Sequence, residues 1–273
     1  VLSTGALSGA WMGPLVGGFL PGVVGIRGTF FVGGAMIAVA AVTTILLIRE
    51  DFDRASDGAR RDRGTRIERG SSRWPVIAAL LSTAMMVLLA NMSIEPIITV
   101  YIGHLGVALD DQARIAGVIM ACSALGSILT AARLGALADR VGSWNVIIGC
   151  LLLTGAVMVP QAFVTQWWQL AILRGLMGMT IAGLLPAIAK LIRHSVEEHN
   201  TGKVLGYLQS AQFSGQVIGP LIGGQVGAHF GLHPVFLVTG ALLVFCAGIN
   251  GWVKNRFHSG VLKFTKNDHQ IHN

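Results

Sequence analysis

Charge and cysteine are both scarce in this sequence of 273 residues, and each scarcity excludes a class of protein. Only 12% of the residues are charged, whereas a soluble domain carries about 25%. The three cysteines, Cys122, Cys150 and Cys246, lie within apolar stretches and have no paired ligands nearby. We therefore expect free, packed thiols, no disulfide and no metal site. No hydrolase triad or phosphate-binding loop is recognisable, so we predict no catalytic residues and no enzyme.

Apolar residues, by contrast, are abundant and are grouped into long runs. They make up 53% of the chain, and the mean hydropathy is +0.66. A helix needs about 20 apolar residues to cross a bilayer, and lipid offers the backbone no water to bond. The sequence therefore predicts an all-α membrane protein. The predicted spans are 1–20, 28–48, 74–102, 113–133, 144–164, 167–192, 204–227 and 233–253.

The basic residues are distributed unevenly among the loops between these spans. The segment 49–73 holds eight arginines, and the tail 254–273 holds four more Lys and Arg residues. An excess of positive charge marks cytoplasmic segments. We therefore place the 49–73 loop and the C-terminus in the cytoplasm, in a multi-pass protein of the cytoplasmic (inner) membrane. Because the basic charge follows this topology, we expect the lipid bilayer as a partner and no nucleic acid.

A repeat relates the first predicted helix pair to the last one. When residues 1–35 are aligned with 207–241 without a gap, "GPLVGG" (13–18) falls on "GPLIGG" (219–224). Four spans precede the second copy after the charged loop, and none precedes the first. Repeated halves are typical of transporters. We therefore expect a fragment with eight of twelve helices: two from one half (1–48), the loop 49–73, and a complete six-helix half (74–253). The repeat also predicts a glycine directly before Val1.

Each copy contains glycines three or four residues apart, followed by proline. Such glycines share a helix face and let two backbones approach closely, and proline bends a helix. The pattern resembles the fifth-helix antiporter motif of the drug:proton antiporter branch of the major facilitator superfamily; ordinary small-residue packing is the alternative. The motif residues are Gly9, Gly13, Pro14, Gly17 and Gly18 in the first copy, and Gly206, Gly215, Gly219, Pro220, Gly223 and Gly224 in the second.

A second resemblance lies in "RLGALADRVGSWN" (133–145). Its Gly135, Asp139, Arg140 and Gly142 match the G-x-L-A-D-R-x-G loop of the same family, although Ser143 and Trp144 stand where further basic residues are usual. Asp139 could cap the following helix or attract an arginine at a neighbouring helix end, as part of a gating latch. A plain tight turn is the alternative.

Polar residues inside the spans are candidates for a substrate cavity or for proton coupling. Glu95 is the only acid well inside a span, and a carboxyl group in a low-dielectric environment can carry a proton; alternatively it pairs with a neighbour or reaches the outer aqueous cavity. Arg174, in a motif similar to an arginine-and-glycine helix of the family, either senses a proton site, orients substrate or snorkels to the interface. Three glutamines share one helix face that should look into the bundle. The full set is Asn91, Glu95, Ser127, Arg174, Gln209, Gln212 and Gln216.

The resemblance implies a major facilitator fold and proton-driven efflux of amphipathic, drug-like molecules by alternating access. It implies that transport is driven by the proton gradient and needs no cofactor. It also implies a small-molecule substrate and protons as partners, and a monomer when the protein is full length. A metabolite or sugar permease of the same fold, or a non-transporting membrane sensor, is the alternative.

Overall fold

The computed structural model describes residues 2–47, 74–196 and 198–271, with side chains at 9, 11–46, 74–196 and 200–256. This part of the chain contains helices and no strand, which confirms the all-α fold class. The helices are α1 (Leu2–Leu47), α2 (Trp74–His104), α3 (Leu109–Val141), α4 (Ser143–Gln161), α5 (Trp167–Ile181), α6 (Leu184–Ser195), α7 (Glu198–Phe230) and α8 (Leu232–Ile271). The prediction for the loop 49–73 falls outside the described residues.

Six segments of the described chain are long and apolar enough to cross a membrane, so this is a multi-pass membrane protein. They are Trp11–Leu46, Trp74–His104, Leu109–Val141, Ser143–Gln161, Trp167–Ser195 and Leu232–Arg256. The first of them joins two predicted spans in one helix, which is broken where Gly25 has a φ of 74°. That left-handed backbone conformation favours glycine. The predicted span 204–227 lies in α7, which is not among the six.

Two predicted boundaries differ from the structure. The resemblance places a gating loop, with Gly135, Asp139, Arg140 and Gly142, within 133–145, yet α3 continues through Asp139 and Arg140 to Val141. Strong helix formers fill this stretch, and the helix ends only at Gly142, whose φ of 88° breaks it. Likewise, α8 extends to Ile271 and so runs through most of the predicted tail.

The closest helix contacts are made through glycines. On α7, a β-carbon at Gly215 or Gly223 would overlap the carbonyl oxygen of Met85 or Ser93 on α2, and one at Gly219 would lie 2.7 Å from the Leu89 oxygen. These glycines lie four residues apart, so α7 presents an almost flat strip to α2. Without a hydrophobic force between helices in lipid, such backbone contact is a main source of packing energy.

The first arm of α1 (residues 2–24) packs on α3 in a similar way. A β-carbon at Gly117 would overlap the Pro14 carbonyl oxygen, and one at Gly18 would lie 2.8 Å from the Ala113 oxygen. The second arm (residues 26–47) exposes large apolar side chains such as Phe30, Phe31 and Ile37. Such a surface suits contact with lipid.

Two apolar clusters fill the bundle, one toward each end. The first contains Leu80 and Ile188, and the second contains Ile102 and Phe236. Tyr101 also belongs to the second cluster, and its hydroxyl donates to the carbonyl oxygen of Gln161 at 3.1 Å. The middle of the bundle, between these clusters, is where the polar residues of α2 and α5 lie.

Candidate functional site

A cavity of about 310 Å³ lies in the middle of the bundle, bordered by α1, α2, α3, α5 and α6. Val87 of the first apolar cluster and Ile98 of the second both line it, so the cavity lies where the clusters meet. Most of the lining is apolar. Its polar members are Asn91, Glu95, Ser123, Ser127 and Arg174. Four predicted site residues from three helices therefore come together: Asn91, Glu95, Ser127 and Arg174.

Glu95 projects from α2 and is half-buried. One of its oxygens, Oε1, accepts a hydrogen bond of 2.8 Å from Nδ2 of Asn91, one turn earlier on the same helix. This bond orients the carboxylate and leaves Oε2 without a hydrogen bond from any described residue. Glu95 thus combines two of the predicted possibilities, since it pairs with a neighbour and also lines a cavity.

Arg174 of α5 is buried, with 2% of its surface exposed. Its Nη1 lies 3.6 Å from the sulfur of Met177, whereas Nε and Nη2 have no hydrogen-bond partner among the described residues. Snorkelling would have carried the guanidinium to the interface, so the burial favours a role inside the bundle. A buried cation with unused donors is costly unless another group compensates it.

The charges of Glu95 and Arg174 interact electrostatically. No ion pair within 4.0 Å joins them, in contrast to the ion pairs found elsewhere in the described chain. Both groups line the same cavity, and their charged nitrogen and oxygen atoms are more than 4.0 Å apart. In this low-dielectric setting, a change of charge on one strongly affects the other.

Ser127 has a packing role as well as a place in the lining. Its hydroxyl lies 2.9 Å from the carbonyl oxygen of Gly178 on α5 and 3.1 Å from that of Ser123 on α3. The hydroxyl of Thr130, one turn later, donates to the carbonyl oxygen of Met179 on α5 at 2.9 Å. A β-carbon at Gly178 would overlap the Ser123 oxygen. Glycine contact and hydroxyl bonds thus fix α5, and with it Arg174, against α3.

The three glutamines of α7 do not join the cavity. Gln209 is exposed, and Gln212 and Gln216 are half-buried. The face of α7 that packs on α2 is occupied by Gly215 and Gly219, so the expectation that the glutamine face looks into the bundle stays a prediction. Several lining residues lie outside the predicted cavity set, among them Met120, Ser123 and Pro14, the last of which was predicted only as part of the first glycine motif.

The glycine motifs contribute to the site unequally. Among the glycines of the first copy, only Gly18 makes a close backbone contact, while a β-carbon added at Gly9, Gly13 or Gly17 would meet nothing within 4 Å. In the second copy, Gly206 and Gly224 are similarly open.

Asp139 lies at the end of the bundle beyond the first apolar cluster. It accepts a hydrogen bond from Nζ of Lys190 on α6, and both side chains are exposed. The predicted partner was an arginine or a following helix end, but α4 begins after Gly142 with no side-chain cap. Arg140 is exposed, and Gly135 has open space around it. The sequence could not reveal Lys190 as the partner because it lies 51 residues away.

Comparisons with known proteins agree with this architecture. The family model described as Major Facilitator Superfamily matches residues 80–263. The "Multidrug resistance protein MdtG" of Escherichia fergusonii is 36% identical over 245 residues, which are 89% of this chain and 60% of that protein. Proteins of the same name from Enterobacter lignolyticus and Dickeya zeae are 36% and 34% identical and cover 92% and 89% of this chain.

The chain spans about three-fifths of the length of these curated relatives. The family model covers more than half of the chain, and the region it matches includes Glu95, Arg174 and the second glycine motif. The chain belongs to the major facilitator superfamily.

Proposed function

We propose that the whole protein exports amphipathic, drug-like molecules across the cytoplasmic membrane in exchange for protons. The observation that carries this proposal is the central cavity, where Glu95 and Arg174 face a largely apolar lining. An apolar cavity with a few polar groups suits amphipathic ligands. The name of the relatives, multidrug resistance protein, supports the same class of substrate.

Glu95 is the group proposed to carry the proton. It is ionisable, lies in the middle of a span and reaches the cavity, so its protonation state and the occupancy of the cavity affect each other. Alternating access would expose the cavity first to the cytoplasm and then to the outside. Proton uptake from outside would reset the cycle. In this proposal the protein needs no cofactor, catalyses no chemical reaction and works as a monomer.

The glycine strips are proposed to be the rigid surfaces along which helices stay together while the bundles move. Asp139 and Lys190 are proposed to form the latch at the cytoplasmic end, since they join α3 and α6 there. Their exposure allows the pair to open at little cost. The orientation, with the 49–73 loop and the C-terminus in the cytoplasm, is part of the same proposal.

A metabolite or sugar permease is the second candidate. The observation that favours it is the polar side of the cavity, where two charges and an amide lie within one site. A permease for polar metabolites would nevertheless leave the apolar lining from Ile98 and Met120 without a matching ligand surface.

The test is the accumulation of a fluorescent cationic dye in cells that express the full-length gene, with and without a protonophore. We expect low accumulation that rises on protonophore addition, in expressing cells only. Glu95→Gln should raise accumulation toward the empty-vector level. The matched control, Asp110→Asn, removes an exposed acid at the start of α3 and should behave like the wild type. Accumulation equal to the empty vector in wild-type cells would instead favour the permease, and metabolite uptake would then be measured.

A further inference from the structure

We propose that the central cavity selects zwitterionic amphiphiles, whose ammonium group binds at Glu95 and whose carboxylate binds at Arg174. This inference rests on the proposed export function and names its substrate class. It is carried by the separation of the two charged groups and by their unused hydrogen-bonding atoms.

Arg174 offers the acidic end of a ligand two donors. Its Nε and Nη2 are buried and have no partner among the described residues, while the residue is only 2% exposed and lines the cavity. The guanidinium presents its donors in a planar fork that matches a carboxylate in two bonds. A ligand carboxylate would therefore satisfy both atoms together.

Glu95 offers the basic end of a ligand one acceptor. Nδ2 of Asn91 donates a hydrogen bond of 2.8 Å to Oε1 of Glu95, and Oε2 accepts no hydrogen bond from a described residue. An ammonium group donates and cannot accept, so it fits a carboxylate oxygen that is still free. Because Asn91 fixes the carboxylate, the free oxygen keeps its position before the ligand arrives.

The separation of the two groups decides between ligand classes. Since no ion pair within 4.0 Å joins Glu95 to Arg174, neither neutralises the other by direct contact. A purely cationic ligand would bind Glu95 and face the positive charge of Arg174, and a purely anionic ligand would meet the reverse problem. A ligand that carries both charges matches both ends and adds no net charge to the low-dielectric site.

The remaining lining suits the apolar part of such a ligand. Ile98 of α2, Met120 of α3 and Leu185 of α6 contribute apolar surface to the same cavity. Methionine adapts its side chain to ligands of varied shape. The cavity would therefore hold the apolar body without demanding one particular outline.

Proton exchange follows from the same arrangement. Among the described residues that line the cavity, Glu95 and Arg174 are the two that carry charge; α3, α6 and the first arm of α1 contribute no ionisable side chain, and α7 and α8, which also pack on α2, contribute no lining residue. Protonation of Glu95 removes the counter-charge of the ligand ammonium and leaves Arg174 unbalanced. Proton and zwitterion thus compete for one site, as antiport requires.

A matched set of fluorescent probes tests the selection directly. Nα-dansyl-lysine carries a carboxylate and an ammonium group, dansylcadaverine lacks the carboxylate, and dansylnorleucine lacks the ammonium. Binding of each to the full-length protein in nanodiscs would be measured by fluorescence titration at pH 8 and pH 5.5. We expect dansyl-lysine to bind at least about tenfold more tightly than either analogue at pH 8, the factor expected from one charged hydrogen bond. Its affinity should fall at pH 5.5.

Variants then assign each end of the ligand. Arg174→Gln should weaken dansyl-lysine and dansylnorleucine by about tenfold or more and leave dansylcadaverine nearly unchanged. Glu95→Gln should weaken dansyl-lysine and dansylcadaverine and remove the pH dependence. The control, Arg193→Gln, removes an exposed arginine outside the cavity by the same substitution and should change none of the three affinities. The probe series on the wild type needs no variant, so it stands even if a variant misfolds.

Equal affinity for the three probes, or no binding of dansyl-lysine up to millimolar concentration, overturns the proposal. Failure of the zwitterion proposal can be distinguished from failure of the proposed export function. If the cationic dye is exported with protonophore sensitivity but dansyl-lysine is not preferred, export stands and the two-charge site is wrong. If dansyl-lysine is preferred but neither dansyl-lysine nor the dye leaves the cells, the binding site stands and the export function is wrong.

Discussion

The two copies of the glycine–proline motif have nearly the same sequence and make different contacts. In the second copy, Gly215, Gly219 and Gly223 lie against the backbone of α2, and Gly224 is open. In the first copy the pattern is reversed. The equivalents of those three glycines contact nothing within 4 Å, whereas Gly18, the equivalent of Gly224, packs on α3.

The difference shows that the motif has two faces. The face formed by glycines at spacing four is used against α2 in the second copy, and the face of the last glycine is used against α3 in the first. A motif read from sequence therefore identifies surfaces capable of close packing, but not the partner of each surface. The partner depends on which helices the chain brings alongside.

The largest expected effect comes from the face used in the second copy. Gly223→Ala should destabilise the 273-residue chain by about 3 kcal/mol, because its β-carbon would overlap the backbone oxygen of Ser93, which cannot rotate away. The matched change in the first copy, Gly17→Ala, should alter stability by less than about 1 kcal/mol, since space surrounds it and alanine favours helix.

Thermal unfolding of the two variants would be compared in mild detergent. The readout would be chemical labelling of the thiols of Cys150 and Cys246, which are buried in the folded chain. Equal destabilisation by both variants would contradict the difference between the two copies, because it would place a packed helix against Gly17.

The reverse comparison should give a smaller effect. Gly18→Ala is expected to cost about 1–2 kcal/mol, because its β-carbon would lie 2.8 Å from the Ala113 oxygen and 3.1 Å from the Cα of Gly117. Gly224→Ala, its equivalent in the second copy, should be tolerated. The same unfolding assay measures both, and a tolerated Gly18→Ala would mean that the first arm of α1 does not dock on α3.

The smallest effect is expected where charge replaces backbone packing. Asp139→Asn removes the exposed ion pair with Lys190 and should cost less than about 1 kcal/mol. High salt should reduce the difference further, because exposed pairs are screened. A loss as large as that of Gly223→Ala would show that the ion pair, and not the glycine strip, holds the bundle together.

The sequence was sufficient for the fold class and for most helix positions. Long apolar runs have few alternatives in a membrane, so α2, α4 and α8 begin within about a residue of the predicted starts. Helix ends were harder to predict. The resemblance puts Asp139 and Arg140 in a loop, although the alanines and leucines before them and the position of Gly142 argue for the helix that forms.

The candidate site could be predicted only as a set of residues. Glu95 and Arg174 stand out because charge inside a span is costly, and this signal is local. Their meeting in one cavity depends on how α2 and α5 each pack on α3, which no local pattern encodes. The three glutamines illustrate the limit: their spacing identifies a common face correctly, but it does not say what that face meets.

The most direct test of the account is transport into proteoliposomes under an imposed pH gradient, with the membrane potential clamped to zero. The full-length protein and its Glu95→Gln variant would be reconstituted in parallel, and uptake of the cationic dye measured. If export is proton-coupled through Glu95, the wild type concentrates the dye only when the pH gradient is present, and Glu95→Gln does not concentrate it. Equal concentration by the variant, or by the wild type without a pH gradient, would contradict proton-coupled export through the cavity of Glu95 and Arg174.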